Sequence, residues 1–338
     1  MSWKTALYDY VQAKNQADFE LSAEPVAAAV ADQAYLLRQQ SILDRVRQTN
    51  RERGAKPGRH VTRLRLTFVD ETSDRILADI RLLRTFQYRI RDEEYREERI
   101  EQERVTLDHA AGKWAVSQIE PITTESVSSA RAGKILPLAQ TEQHSGRPYR
   151  APSMPYINYS ILNNGETSPR KIAYDRAKAA QYANTWWNGV NPKYLEFEVD
   201  CTNFVSQCLY AGGAPMNYTG KRESGWWYAG KKGSRELWSF SWAVAHSLQL
   251  VTVNSNKGLC GTVAASPQEL QIGDMISYDW DGNGKYQHNV IVTAKDANGM
   301  PLVNAHTINS KQRYWQYLDS PAWTERTRYV FVHIADEM

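Results

Sequence analysis

Residues 200–213 read DCTNFVSQCLYAGG. Asp200 is a favoured helix N-cap and Gly212 a favoured stop. Between them Phe204, Val205, Cys208 and Leu209 fall on one apolar face. The pattern predicts a short helix with Cys201 in its first turn, at the edge of the buried face. A thiol there meets free N–H groups and the positive helix end, which favour thiolate and would hold an oxyanion. Cys201 is therefore the candidate nucleophile. Cys208 lies squarely on the apolar face and reads as inert core. Cys260 sits in a loop with no helix to activate it.

A thiolate nucleophile needs a base. Residues 287–293, QHNVIVT, are rich in β-branched side chains and predict a strand. His288 opens it and shares a face with Val290 and Val292. If that face packs on the Cys201 helix, the imidazole reaches the helix N-terminus. A second strand, Leu302 to His306, follows a turn ending at Gly299. A five-residue loop from Lys295 pairs 288 with 306, so that His306 faces His288 and Asn304 lies diagonal to it. A four-residue loop would turn both to the opposite face. His306 is the expected third residue, with Asn304 the alternative.

DCTNFVSQCLYAGG, followed by LQIGDMISYDWDGNG, HNVIVT and VNAHT, resembles the bacterial putative amidase domain family. The upstream stretches YANTWW (182–187) and NPKY (191–194) resemble it too. Four motifs stand in the family's order, and the likeness runs over roughly residues 168–332. It implies a branch of the papain-like superfamily related to NlpC-type and CHAP cell-wall hydrolases. It also implies Cys201 as nucleophile, His288 as base, His306 as third residue and a cell-wall peptide or peptidoglycan fragment as substrate. The chemistry is amide hydrolysis through a thioester. The Cys201 N–H would be one oxyanion donor, with Asn184, Asn191 or a nearby Tyr as the second. A binding module on an inactive scaffold and a thioester acyltransferase are the competing readings.

Two further features of this region bear on ligands. Trp186, Trp187, Trp226 and Trp227 are candidates to line a groove for peptide or glycan, against packing of a Trp-rich core. DWDGNGKYQ (279–287) places oxygens of Asp279, Asp281, Asn283 and Gln287 as in the first nine positions of a calcium loop, with Gly284 sixth. Val290 stands where the final acidic ligand belongs, and a Gly-rich hairpin is the competing reading. No cofactor is required by the chemistry; calcium would brace the loop that delivers His288.

Composition divides the chain. Residues 1–150 hold 24 Lys and Arg with 22 Asp and Glu; residues 151–338 hold 17 and 16, with nine of the 11 tryptophans. Two domains are expected in 338 residues. A net charge of +3 points away from a strong nucleic-acid binder. No run of 18 apolar residues is present, so no membrane-spanning helix is expected. Residues 1–24 lack the apolar core of a secretion signal, so the protein either works inside the cell or has lost a leader.

In the first part, helical spacing at Leu7 and Val11 predicts one helix. A second is expected from Pro25 to about Arg53, ended by Gly54 and a Lys56-Pro57-Gly58 turn. Strands follow at 61–68, 76–88, 97–107 and 114–119. The run of Glu93, Glu94, Glu97, Glu98, Glu101 and Glu103, interleaved with arginines, reads as a solvated, mutually screened face. The expected organisation is α+β throughout. A small domain of helices then antiparallel sheet occupies 1–119, a linker 120–155, and a papain-like cysteine hydrolase domain 156–338, its Cys-bearing helix packed on an antiparallel sheet.

Overall fold

The computed structural model describes residues 2–123, 125, 172–232 and 235–338. Beyond residue 125, the linker expected over 120–155 lies outside the described residues. The chain is mixed α+β and forms two compact units. They are not contiguous halves: Asp296–Asn298 and Ile308–Trp323 group with Met1–Thr124, and the remainder forms the second unit.

In the first unit, α1 (Trp3–Glu20) is capped by the Ser2 side chain. The expected helix from Pro25 to Arg53 is broken. A single turn ends near Ala28, Val30 bridges to Val116, and α2 (Gln33–Arg53) starts afresh at Asp32. The Asp32 carboxylate caps the Tyr35 N–H and also accepts the Ile119 N–H. Tertiary bonds thus outweigh the high helix propensity of Ala27 to Ala29. Gly54 ends α2 in the left-handed region, at φ 65°. No turn follows, because Lys56 to Gly58 already belong to β1 (Ala55–Glu71), with a register shift after Pro57.

Strands β2 (Arg75–Ile90), β3 (Glu93–Ala110) and β4 (Lys113–Pro121) complete an antiparallel meander. Ile76, Ala78, Ile80 and Leu82 alternate into a core with Trp3, Leu7, Tyr10 and Val11 of α1. The acidic run is not simply solvated. Glu97 and Glu103 are buried, and Lys14 bridges Glu101 and Glu103 while Arg84 bridges Asp18 and Glu101. Period-two spacing turns alternate charges of β3 inward, and buried charges persist only where paired.

In the second unit, α3 (Arg176–Trp186) and α4 (Cys201–Ala211) pack with α5 (Ala245–Asn254). The strands are β5 (Gly261–Ala264), β6 (Met275–Asp279), β7 (His288–Lys295), β8 (Pro301–Ala305) and β10 (Arg328–Ile334). They pair antiparallel in the order β8-β7-β6-β10-β5. The intervening β9 (Ser310–Tyr314) pairs with β3 in the first unit. Phe204, Val205, Cys208 and Leu209 of α4 share a core with Met275, Ile291 and Val332, as the apolar face of residues 200–213 predicts. Among the described residues no helix is long and apolar enough to cross a membrane.

Candidate active site

Cys201 is the first residue of α4 and is only 1% exposed. Burial pushes its thiol up, opposed by the Asn289 N–H and the Thr202 and Thr307 hydroxyls. The helix terminus was expected to lower it. Removal from water is the larger effect, because a thiolate loses more solvation than one helix end returns. Burial likewise raises Cys208 and Cys260.

Asp200 occupies the N-cap position, but its side chain makes no cap bond. One oxygen accepts from the Phe197 N–H at 3.0 Å and from Asn203 Nδ2 at 2.9 Å. The other lies 2.7 Å from His306 Nδ1. His306 Nε2 lies 2.8 Å from the Trp186 carbonyl, and the ring stacks on Phe204 with centroids 4.0 Å apart. Asn203 also donates to the Leu195 carbonyl and accepts from the Trp242 indole. The helix start is thereby tied to α3, β8 and the loop before α4.

The expected pairing of His306 with His288 is not what forms. Pro301 pairs with Lys295 and Leu302 with Ala294; then the register slips, so that Val303 faces Val292 and Asn304 faces Ile291. The hairpin loop has five residues, Asp296 to Met300, displaced by one position from the five-residue loop expected from Lys295, and an irregularity at Thr293 then shifts the register again. Asn304 accepts from Thr293 Oγ1 at 2.8 Å and donates to Asn184 at 3.0 Å, joining β8 to α3. His306 thus links the Asp200 carboxylate to the Trp186 carbonyl instead of facing His288.

His288 is fully buried at the first position of β7, its ring near Tyr278 (5.5 Å) and Trp280 (5.9 Å) between centroids. The residues of β7 that face α4 are Asn289 and Ile291, the opposite phase from the His288, Val290 and Val292 face expected from sequence. Asn289 is the hub that spacing did not reveal. Its backbone N–H meets the Cys201 sulfur. Its side chain accepts from Ser277 at 2.7 Å and donates to Thr202 at 3.2 Å and to the Ala245 carbonyl at 3.3 Å. An Asn beside a His in a strand carries no sequence signal of this role.

The other candidates are placed as follows. Trp226 and Trp227 are buried, and their indole N–H groups are spent on Ser206 and the Ser224 carbonyl, so they build core rather than a groove. Trp187 is also buried, while Trp186 is partly buried and supplies the carbonyl to His306. Asn184 is held by Asn304, and Asn191 donates to Tyr182. Asp279 accepts the Asn283 and Gly284 N–H groups, Asn283 accepts the Lys285 N–H, and Asp281 accepts from Gln287. These are the bonds of a tight hairpin turn. Among the described residues no group of three or more His, Cys, Asp or Glu is arranged to hold a metal ion.

With the geometry in place, comparison with known proteins adds the following. Residues 173–332 match the Putative amidase domain family. This stretch contains Asp200, Cys201, His288, Asn289 and His306. An uncharacterized Bacillus subtilis protein, YhbB, is 50% identical over 182 residues, which span 54% of this chain and 57% of that protein. No solved structure matches the chain. The family match points to an amidase-like hydrolase.

Proposed function

We propose that the second unit is a cysteine amidase or peptidase of papain-like type, related to NlpC-type and CHAP enzymes, that cleaves an amide in cell-wall peptide. The observation that carries this reading is the place of Cys201 as the first residue of α4, inside the stretch that matches the amidase family. Cys201 thiolate adds to the amide carbonyl carbon. The oxyanion is held by N–H groups of the first turn of α4. Protonated His288, whose ring packs on Tyr278 and Trp280 and must turn toward α4 to act, donates its proton to the departing amine as the C–N bond breaks, leaving a thioester. Neutral His288 then takes a proton from water, and the hydroxide displaces the thiolate to release the acid. Asp200 and His306 position the helix start.

A second reading, a wall-binding module with an idle thiol, draws support from the 1% exposure of Cys201. The two part on one experiment. Full-length protein is incubated with cell-wall peptide fragments and read by mass spectrometry, beside Cys201→Ser and His288→Ala. Cleavage in the native protein, with each variant silent and still folded, supports the hydrolase. Binding without cleavage supports the module, and transfer to an added amine would mark an acyltransferase.

A further inference from the structure

The first strand of the first unit carries an unbalanced charge pattern. Among the described residues β1 pairs only with β2, so its other side is a free edge. Such an edge presents unpaired N–H and C=O groups to any strand that can match it. Arg65 lies directly across from Arg81 of β2. Like charges directly opposite repel, and neither forms an ion pair among the described residues. Asp70 and Glu71, further along β1, are likewise unpaired there.

The register fixes which side chains share a face. Leu66 faces Ile80 and Phe68 faces Asp79, so Thr67 is an extra residue and the alternation steps over it. Arg65, Phe68 and Asp70 therefore share the outer face. Leu66, Val69 and Glu71 share the face of Ile76, Ala78 and Ile80, which belong to the core. Leu64, Phe68 and Val69 are 38%, 49% and 37% exposed, large apolar groups left on an edge.

We infer that β1 is a self-association edge that pairs antiparallel with β1 of a second copy of this chain. In one register every opposed pair lies on a matching face: Arg65 meets Asp70 of the other copy, and Leu66 meets its Val69. The two-fold axis passes between Thr67 and Phe68, so each contact occurs twice. The carboxylate missing from the Arg65–Arg81 pair comes from the second copy. The basic first half and acidic end of the strand complement each other only when antiparallel.

Sedimentation velocity of the full-length protein over roughly 1–100 μM tests this. A concentration-dependent monomer–dimer equilibrium is expected. Arg65→Asp and Asp70→Arg should each weaken the dimer about tenfold or more, because each sets like charges opposite one another twice. The combined Arg65→Asp and Asp70→Arg variant should restore it. Circular dichroism checks that each variant is folded; both sites are exposed, so folding should persist. A native protein monomeric throughout overturns the inference. So does a dimer indifferent to both single reversals, or one that the double reversal fails to rescue.

Discussion

His306 Nδ1 stands 2.7 Å from Asp200 Oδ2, so the residue immediately before the candidate nucleophile is held by a side chain 106 positions later in the sequence. The bond fixes where the helix N–H groups point. Phe204, one turn further on, carries the same imidazole on its face. The orientation of Cys201 thus depends on a tie made outside its own helix.

Removing either end of that tie should therefore cost both stability and rate. Asp200→Ala and His306→Ala each leave a buried partner unsatisfied, a loss of about 1–3 kcal/mol. The double variant should lose less than the sum, because the two share one interaction. Denaturant titration measures this. Turnover in His306→Ala should fall by roughly 10–1000-fold, less than in Cys201→Ser, as for a group that orients without making bonds. Strict additivity of the two stabilities would remove the tie.

Asn289 offers a sharper test, since its side chain joins Ser277, Thr202 and Ala245 at once. Asn289→Ala should destabilise by about 2 kcal/mol or more. Asn289→Asp loses the two donated bonds and should be no better tolerated. Thermal unfolding that is unchanged in both variants would show that the hub is dispensable.

Thiol labelling should follow burial rather than helix position. Cys260 is half-buried, whereas Cys201 and Cys208 are buried. Iodoacetamide on the native protein near neutral pH should modify Cys260 first and Cys208 last, read by peptide mass spectrometry. Burial raises the Cys201 thiol, so its labelling should climb as pH rises above the ordinary thiol range. Fastest labelling at Cys201 near pH 7 would mean that the site opens in solution.

Acid should loosen the first unit through Asp319. Burial opposes its ionisation, but Arg313 and Arg99 overcome that and hold its carboxyl down at about 2 from an ordinary 3.8. A carboxylate lowered in the folded state adds stability above its unfolded value. That stability is lost as pH falls through the folded one. The Asp319 contribution should fade between about pH 4 and 2. Asp319→Asn should flatten stability against pH across that window; an unaltered profile would exclude the ion pairs as its source.

Calcium should leave the protein unmoved. The Asp279, Asp281 and Asn283 oxygens already accept from the loop that carries them. A chelator, or millimolar calcium, should shift Tm by less than about 1 °C, where ligand binding at saturation would raise it by several.

The sequence disclosed the elements better than their connections. The Cys201 helix, the His288 strand and the meander of the first unit follow from periodicity and caps, which are local. The break at Val30 does not, because it depends on Val116 and on the Ile119 N–H, far along the chain. The slip near Thr293 turned the Asn304 and His306 assignments, since strand alternation amplifies one residue of register into a change of face. Asp200 was legible as an N-cap, but not as the partner of a distant histidine.

One consequence concerns synthesis. The first unit needs Ile308–Trp323, whose β9 pairs with β3 and whose Asp319 bridges Arg99. A growing chain that has delivered residue 124 has not delivered that segment, and at ~5–20 residues per second the wait is roughly 10–40 s. During that interval Arg99 and Glu97 lack their later partners, and the edge of β3 that β9 will occupy is open to other strands. Folding on the ribosome therefore cannot run strictly from the N-terminus. The first unit to begin is held unfinished until most of the second has emerged, and a chain stalled before residue 308 would leave both incomplete.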